Sequence, residues 1–332
     1  MGEKLIDTIG AQFSVHINLD TTVPWDEKLY KKARGGGCYK RILNITLDNG
    51  APIQYTYYPY ANKGLPLLNV EFSLPHMVLG NNVDMVFNLP QAITEANELL
   101  PDIPGVPTLN LWKGVIYRLD PCYNFQVGNL VPHYIRAIQF LDYPRREISP
   151  YRTGFMFKTN QEAVKIYDKE KERLKEKDAV GAEAARAILR LEVTLRKQAV
   201  RKLAGKKKPT IRDISIDLLF DKLEKELDKL GLLNRSIANR KTALEQLCAK
   251  YGPRAGVYYF GLLVSKVEQP SKAVIVSATD LHPKSLDRQL KKIVQSDIPL
   301  TLTSTEEPLP PLIIDREMVK RRSELLVSLK TG

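Results

Sequence analysis

Histidine and cysteine are scarce in this chain. Four histidines (His16, His76, His133, His282) and three cysteines (Cys38, Cys122, Cys248) are spread over 332 residues. No two histidines stand at metal-ligand spacing, and the cysteines match neither a zinc motif nor a disulfide framework. This thiol usage predicts a reducing, cytoplasmic setting. Long apolar runs are also missing. No stretch reaches the roughly 18 to 20 apolar residues that a membrane span needs. The opening MGEKLIDTIG lacks the apolar core of a signal peptide. No membrane partner is expected. Gly35-Gly36-Gly37 is not followed by GK[ST], which argues against an NTPase.

What is abundant is positive charge. Lys and Arg number 50 against 38 Asp and Glu, a net charge of +12 and a pI of about 9.4. Such a balance points to a polyanionic partner, nucleic acid first, with a merely basic protein as the alternative. At 43% hydrophobic residues, each part of the chain can bury a core.

Strand and helix alternate up to about residue 200. Strands are predicted at Phe13–Leu19, Tyr39–Leu47, Gln54–Tyr60, Leu68–Leu74 and Gly114–Asp120, and as a hairpin at Phe155–Lys158 and Ala163–Asp168. Helices are predicted at Pro90–Leu100 and Asn129–Phe140, with a charged, solvated one at Glu170–Lys177. Leu189-Arg190-Leu191-Glu192-Val193-Thr194-Leu195-Arg196 alternates without a break, placing Arg190, Glu192, Thr194 and Arg196 on a polar face. The fold class expected is α+β, with an antiparallel-sheet catalytic unit of two similar halves, although no close internal repeat stands out. Gly205–Thr210 (GKKKPT) reads as a basic hinge, dividing 1–204 from a mostly helical tail, 205–332. In the tail, the helices Leu218–Leu230, Lys241–Tyr251, Gly256–Lys266 and Ser285–Val294 precede short strands at Pro299–Thr303 and Leu312–Asp315. That order suggests a winged helix whose basic helix enters a major groove. An ordinary amphipathic scaffold helix is the alternative.

Four acids lie on polar strand faces or just beyond a strand: Glu71, Asp120, Glu172 and Glu192. Hard cations such as Mg2+ and Mn2+ take carboxylate oxygens, and a metal so held polarises phosphate. Each acid taken singly is equally a surface charge. Tyrosine attacks phosphorus in some covalent mechanisms. Tyr167 lies between Lys165 and Lys169 on one strand face, and Tyr151 lies just ahead of the hairpin. Tyr55, Tyr57, Tyr58 and Tyr60 form an aromatic patch suited to base stacking or to strand packing.

At these residues the chain resembles the replication initiators of filamentous phages (the gene II/X type) and the related trans-type initiators of rolling-circle plasmids. The similar stretches fall in order: VEFSLPHMVLGNNV (70–83), Tyr117-Arg118-Leu119-Asp120, HYIRAIQFLDYPRREISPY (133–151), KIYDKEKE (165–172) and LRLEVTLRK (189–197). The tail adds PTIRDI and YGPRAG. Coverage is roughly residues 10 to 260. The histidine-hydrophobic-histidine pair of the commonest single-strand nickases is absent.

The resemblance implies a metal-dependent nickase and strand transferase acting on origin DNA. A tyrosine keeps the 5′-phosphate and frees a 3′-OH for polymerase. Glu71, Asp120, Glu172 and Glu192 would form the metal or acid set, with Lys165 and Lys169 near the phosphate. DNA contacts are expected from Arg118, Arg190 and Arg196 on the sheet and from Lys284, Arg288 and Lys292 in the tail. Host helicase and polymerase, and a homodimer, are compatible partners. Relatives usually carry the nucleophile on the strand before the Tyr-x-Lys element, where this chain has Phe155. Phenylalanine cannot attack. That leaves Tyr151, slightly preferred, or Tyr167, a shifted alignment, or an inactive form that binds DNA as an initiator or repressor without cutting it.

Overall fold

The computed structural model describes residues 5–317 apart from 17, 34, 35, 61–64, 85, 87, 140, 142, 144 and 270, and only the backbone of 28–33 and 36–38. Gly35, Phe140 and the Cys38 side chain, named above, lie outside the described residues. Helices and an antiparallel sheet are both major components, so the class is α+β.

Ten strands form one antiparallel sheet. They are β1 (Ile6–Ser14), β2 (Glu27–Ala33), β3 (Gly36–Thr46), β4 (Pro52–Tyr58), β5 (Leu67–Ser73), β6 (Val115–Gln126), β7 (Glu147–Tyr151), β8 (Gly154–Lys158), β9 (Glu162–Asp168) and β10 (Ile188–Arg196). The order is β2-β3-β4-β5-β1-β6-β10-β9-β8-β7. Counted outward from the central β1–β6 pair, the two sides run in the same sequence of strands. Leu68-Asn69-Val70-Glu71-Phe72-Ser73 on β5 and Leu189-Arg190-Leu191-Glu192-Val193-Thr194 on β10 hold corresponding places, beside β1 and β6.

The helices of this part are α1 (Leu74–Leu79), α2 (Leu89–Leu99), α3 (Val131–Ile138), α4 (Lys169–Lys175), α5 (Ala179–Ala184), α6 (Lys197–Ala204) and α7 (Ile216–Lys229). Leu189, Leu191, Val193 and Leu195 join one hydrophobic core with Ile93 of α2, Tyr134 of α3, Val200 of α6 and Leu223 of α7. Core burial of this kind supplies about 25 cal/mol per Å² of apolar surface removed from water. Most strand positions matched expectation. The edge strands β2 and β7 were not expected, and two predicted strands were misplaced for one reason. β1 and β6 are central and covered on both faces, so neither shows clean alternation. β1 therefore starts earlier than the predicted Phe13–Leu19 and ends at Ser14. β6 continues past Asp120 through Pro121, which sits at a register irregularity where its missing N–H is tolerated.

α4 is solvated on one side only, where Lys171, Leu174 and Lys175 are exposed. Lys169, Glu172 and Arg173 are buried against the sheet. The aromatic patch is mostly strand packing: Tyr55 and Tyr57 are core residues, and Trp25 stacks on Tyr57 at 5.6 Å.

The tail helices α8 (Arg240–Tyr251), α9 (Pro253–Glu268), α10 (Lys272–Thr279) and α11 (Pro283–Val294) gather around a second, smaller cluster from Ala238 to Leu302. α7 lies beyond the expected boundary at 204/205 yet packs into the sheet core. So do Leu309, Leu312 and Ile314. The two segments expected as short strands make isolated bridges to 233–239 instead, Asn239 to Thr303 and Leu233 to Leu312, and Leu309 between them bridges Ile237.

α7 is fixed to the sheet by a buried network. Glu226 accepts from the Tyr143 hydroxyl, from Arg146 Nη2 (3.0 Å) and from Lys222 Nζ (2.7 Å), and Arg146 also reaches Glu162 at 2.6 Å. Burial alone would raise the Glu226 carboxyl. The Lys222, Tyr143 and Arg146 contacts outweigh it and hold the group at about 2, below the ordinary 4.5. A depressed carboxyl stabilises the fold fully above its unfolded value and loses that contribution as pH falls through its folded value. Glu226→Gln is expected to cost about 3 kcal/mol in urea unfolding at pH 7. The deficit should shrink steadily between pH 4.5 and pH 2.

Candidate functional site

The sheet face opposite the apolar core carries a continuous row of ionisable groups. At its centre are Asp120 on β6 and Glu192 on β10, which are 0% and 3% exposed. Asp120 accepts from Arg118 Nε (3.1 Å) and Nη2 (2.6 Å) and from Thr194 Oγ1 (3.2 Å). Glu192 accepts from Lys165 Nζ (2.5 Å) and from the Tyr167 hydroxyl (2.9 Å). The register places Lys165 directly opposite Glu192, and Tyr167 two residues along on the same face.

The two carboxyls titrate in opposite directions. Burial pushes Asp120 up to about 6; Arg118 opposes this and the Glu192 charge adds to it. Burial would raise Glu192 too, but the Lys165 ammonium and the hydrogen bonds from Lys165 and Tyr167 bring it below the ordinary range. Burial works against the Lys165 charge, yet Glu192, Tyr151 and Asp120 together raise its pKa above the usual lysine value. Tyr167 is wholly buried, and burial with the Glu192 charge lifts its hydroxyl well above 10, so it is a neutral donor.

On the β5 side, Glu71 accepts from Arg118 Nη1 and from the Tyr117 hydroxyl at 3.0 Å. Both side chains reach it because β6 bulges. Gly10 pairs with Arg118 while Ala11 pairs with Ile116, leaving Tyr117 extra. Glycine is needed opposite the bulge, since a Cβ at position 10 would lie 2.8 Å from Tyr117 Cζ and 2.9 Å from Arg118 Cβ. Arg118 thus bridges Glu71 and Asp120.

On the β7 side stands Tyr151. Its ring meets that of Tyr167 edge-on at 5.4 Å, and Lys165 Nζ lies 5.0 Å from the Tyr151 centroid. Tyr151 is half-buried, and among the described residues its hydroxyl makes no hydrogen bond. Burial raises its pKa, Lys165 lowers it and Glu192 raises it. β8 approaches closely here. A Cβ on Gly154 would sit 2.0 Å from the Ile166 carbonyl oxygen and 2.7 Å from Tyr167 Cβ. Phe155 pairs with Ile166 and packs on the apolar core, so the position expected for a nucleophile faces away from the charged row.

At the far end, Arg190 is 0% exposed. It donates to Asn124 Oδ1 (2.8 Å), Asn82 Oδ1 (3.1 Å) and the Asn82 carbonyl (3.1 Å). Lys169 is also 0% exposed and donates to Glu172 and to Asn82 Oδ1 (3.4 Å). Burial and the Arg190 charge lower the Lys169 pKa. Arg152 reaches Glu172 at 3.3 Å. The expected DNA contact from Arg190 and phosphate contact from Lys169 are therefore corrected, because both are sealed from solvent and tie the 82–83 turn to the sheet.

The structure brings Asp120, Glu192, Lys165, Tyr151 and Tyr167 together. Glu71 and Glu172 lie on opposite flanks, and among the described residues no three His, Cys, Asp or Glu side chains converge. Arg196 is exposed at the end of β10. Lys284, Arg288 and Lys292 are exposed on α11 at intervals of four, forming one stripe, while Leu286, Leu290 and Ile293 are buried. Asn82, Asn124 and Asp7 were missed as site-supporting residues. Asn82 had a weak signal in its Gly-Asn-Asn turn. Asp7 accepts from Ser73 Oγ at 3.2 Å, and its charge acts on Glu192, Arg190 and Lys169.

Tyr167→Phe removes a hydrogen bond to a buried carboxylate. It is expected to lower unfolding free energy by about 2 kcal/mol in urea denaturation. No family model matches this chain, and no curated protein matches it either.

Proposed function

We propose that this chain initiates rolling-circle replication by nicking and rejoining one strand of origin DNA, with Tyr151 as nucleophile. The observation carrying this reading is Tyr151, half-buried, whose hydroxyl makes no hydrogen bond among the described residues, beside Lys165 and near Glu192. The phenol oxygen attacks phosphorus, the bond from phosphorus to the 3′ oxygen breaks, and that oxygen leaves with a proton as a 3′-OH. The 5′-phosphate stays on the tyrosine, so reversal rejoins the strand without an external energy source. Lys165 balances charge on the phenolate and on the phosphate. Tyr167 is a positioning residue that holds Glu192.

The donor type suits a hard cation, but both carboxylates are buried and their oxygens already accept from Arg118 and Thr194 or from Lys165 and Tyr167, so a cation must displace one of these partners. Asp120 and Glu192 offer neighbouring carboxylates, and Mg2+ characteristically binds one or two of these plus substrate phosphate oxygens. These two residues would hold Mg2+ or Mn2+, which when bound would polarise a phosphate oxygen. The exposed α11 stripe supports binding of flanking duplex. It serves equally the second reading, a non-catalytic DNA-binding initiator or repressor.

The test is an end-labelled single strand carrying the cognate origin, incubated with Mg2+ or Mn2+, with mass spectrometry of any adduct. A phosphotyrosine on the Tyr151 peptide is expected, lost in Tyr151→Phe and kept in Tyr167→Phe. Origin binding with no adduct in either metal would establish the second reading. Nicking is expected to rise with pH through about 6 as Asp120 ionises, because its charged form is the one able to hold a cation.

A further inference from the structure

A second charged feature lies outside this centre. At the end of the sheet where β1 finishes and β6 and α6 begin, a groove of about 600 Å³ is lined by Gln12, Phe13, Lys113, Lys197, Arg201 and Lys208, among others. Its lining contains four cations and no acid. Among the described residues none of the four makes an ion pair, and Arg201 Nε is buried with no hydrogen-bond partner. A desolvated guanidinium donor without an acceptor is costly, and an anion entering the groove would satisfy it. Lys197 and Arg201 are one helical turn apart on α6, so both address the same side. Lys208 comes from the GKKKPT hinge, held here by the hydrogen bond from Ile116 N to the Pro209 carbonyl (2.7 Å).

The groove also has an aromatic wall. The Phe13 ring lies over Gly114, where a Cβ would come within 2.8 Å of Phe13 Cζ. Gln12 and Leu67 come from the same sheet face as Glu71, because Gln12 pairs with Asn69 and Asn69 stands two residues from Glu71. β10 leads from Glu192 to Arg196 and directly into Lys197 of α6, so the groove begins where the charged row ends. Cations that track a backbone, together with a ring that accepts any base, are the elements of unpaired-strand binding.

We infer that this groove binds the phosphodiester backbone of an unpaired nucleic-acid strand running off the Asp120–Glu192 centre. The inference rests on the reading of this chain as a DNA-acting protein but does not require nicking.

The test uses the full chain and a fluorescent oligo-dT, read by anisotropy across a salt series. Lys197→Gln with Arg201→Gln is expected to weaken binding at least tenfold. The slope of log affinity against log salt should fall by about 1.4, since each single-strand phosphate contact contributes roughly 0.7. Phe13→Leu, which keeps an apolar side chain against the core, should weaken binding several-fold without changing the slope. Circular dichroism melting checks that each variant is folded. Unchanged oligo-dT affinity and slope in the folded double variant would overturn the inference. So would equal loss of affinity for duplex DNA, or competition by polyglutamate as effective as by oligo-dT. Failure to find a Tyr151 adduct, with oligo-dT binding still lost in the groove variant, would sink the nicking reading and leave the groove standing.

Discussion

The ion pair between Glu192 and Lys165, with the Tyr167 hydroxyl as third member, is the interaction on which the charged face depends. A lone carboxylate at that depth costs several kcal/mol and would be protonated. Paired as it is, Glu192 stays charged and supplies the field in which its neighbours titrate. It holds Lys165 cationic, keeps Tyr167 neutral and helps push Asp120 toward neutrality. Partners then propagate outward: Asp120 binds Arg118, Arg118 binds Glu71, and Arg190 and Lys169 close the other end on Asn82. Because most members serve two contacts, truncating one leaves a charge unmatched further along, and single substitutions here should not act additively.

The same pairing sorts the tyrosines. Tyr167 is consumed by its hydrogen bond and lacks solvent contact, whereas the Tyr151 hydroxyl, next to the same lysine, makes no hydrogen bond among the described residues. Depth in the face, more than residue type, separates a structural phenol from one available for chemistry. The tight approach of β8 at Gly154 belongs to this arrangement, since strands spread by a Cβ would alter the spacing between Tyr151 and Tyr167.

Much of the fold was legible in the sequence. Outer strands such as β4, β5, β8 and β9 alternate and were found. β10 also alternates, in residue type, although both its faces are buried. The central β1 and β6 lack alternation for the physical reason that most positions on both their faces are buried, and their limits were misplaced. Of the site, Glu192, Asp120, Lys165 and Tyr167 were legible as residue types on the polar faces of separate strands, and Tyr151 as a tyrosine just ahead of the hairpin. Their depth was not. Periodicity reports which residues share a face but says nothing about what covers it, so Arg190 and Lys169 were read as nucleic-acid contacts and Glu170–Lys177 as wholly solvated. Asn82 and Asn124 escaped notice because an uncharged amide becomes informative only when a buried guanidinium is found beside it.

The bridges between 233–239 and 303–312 have a topological meaning. The chain leaves the sheet core at Ile237, builds α8 to α11, and returns to that core at Leu309. The helical cluster is thus an insertion with one neck, through which both crossings pass side by side. Its two ends being close in space, the segment between them is exchangeable in principle for another of different binding preference, with no change to the sheet. A chain cut after Ile237 would be a different object. It would lose Leu309, Leu312 and Ile314 from the main core and leave α7 without part of its packing, so a truncation meant to isolate the sheet must retain the returning segment.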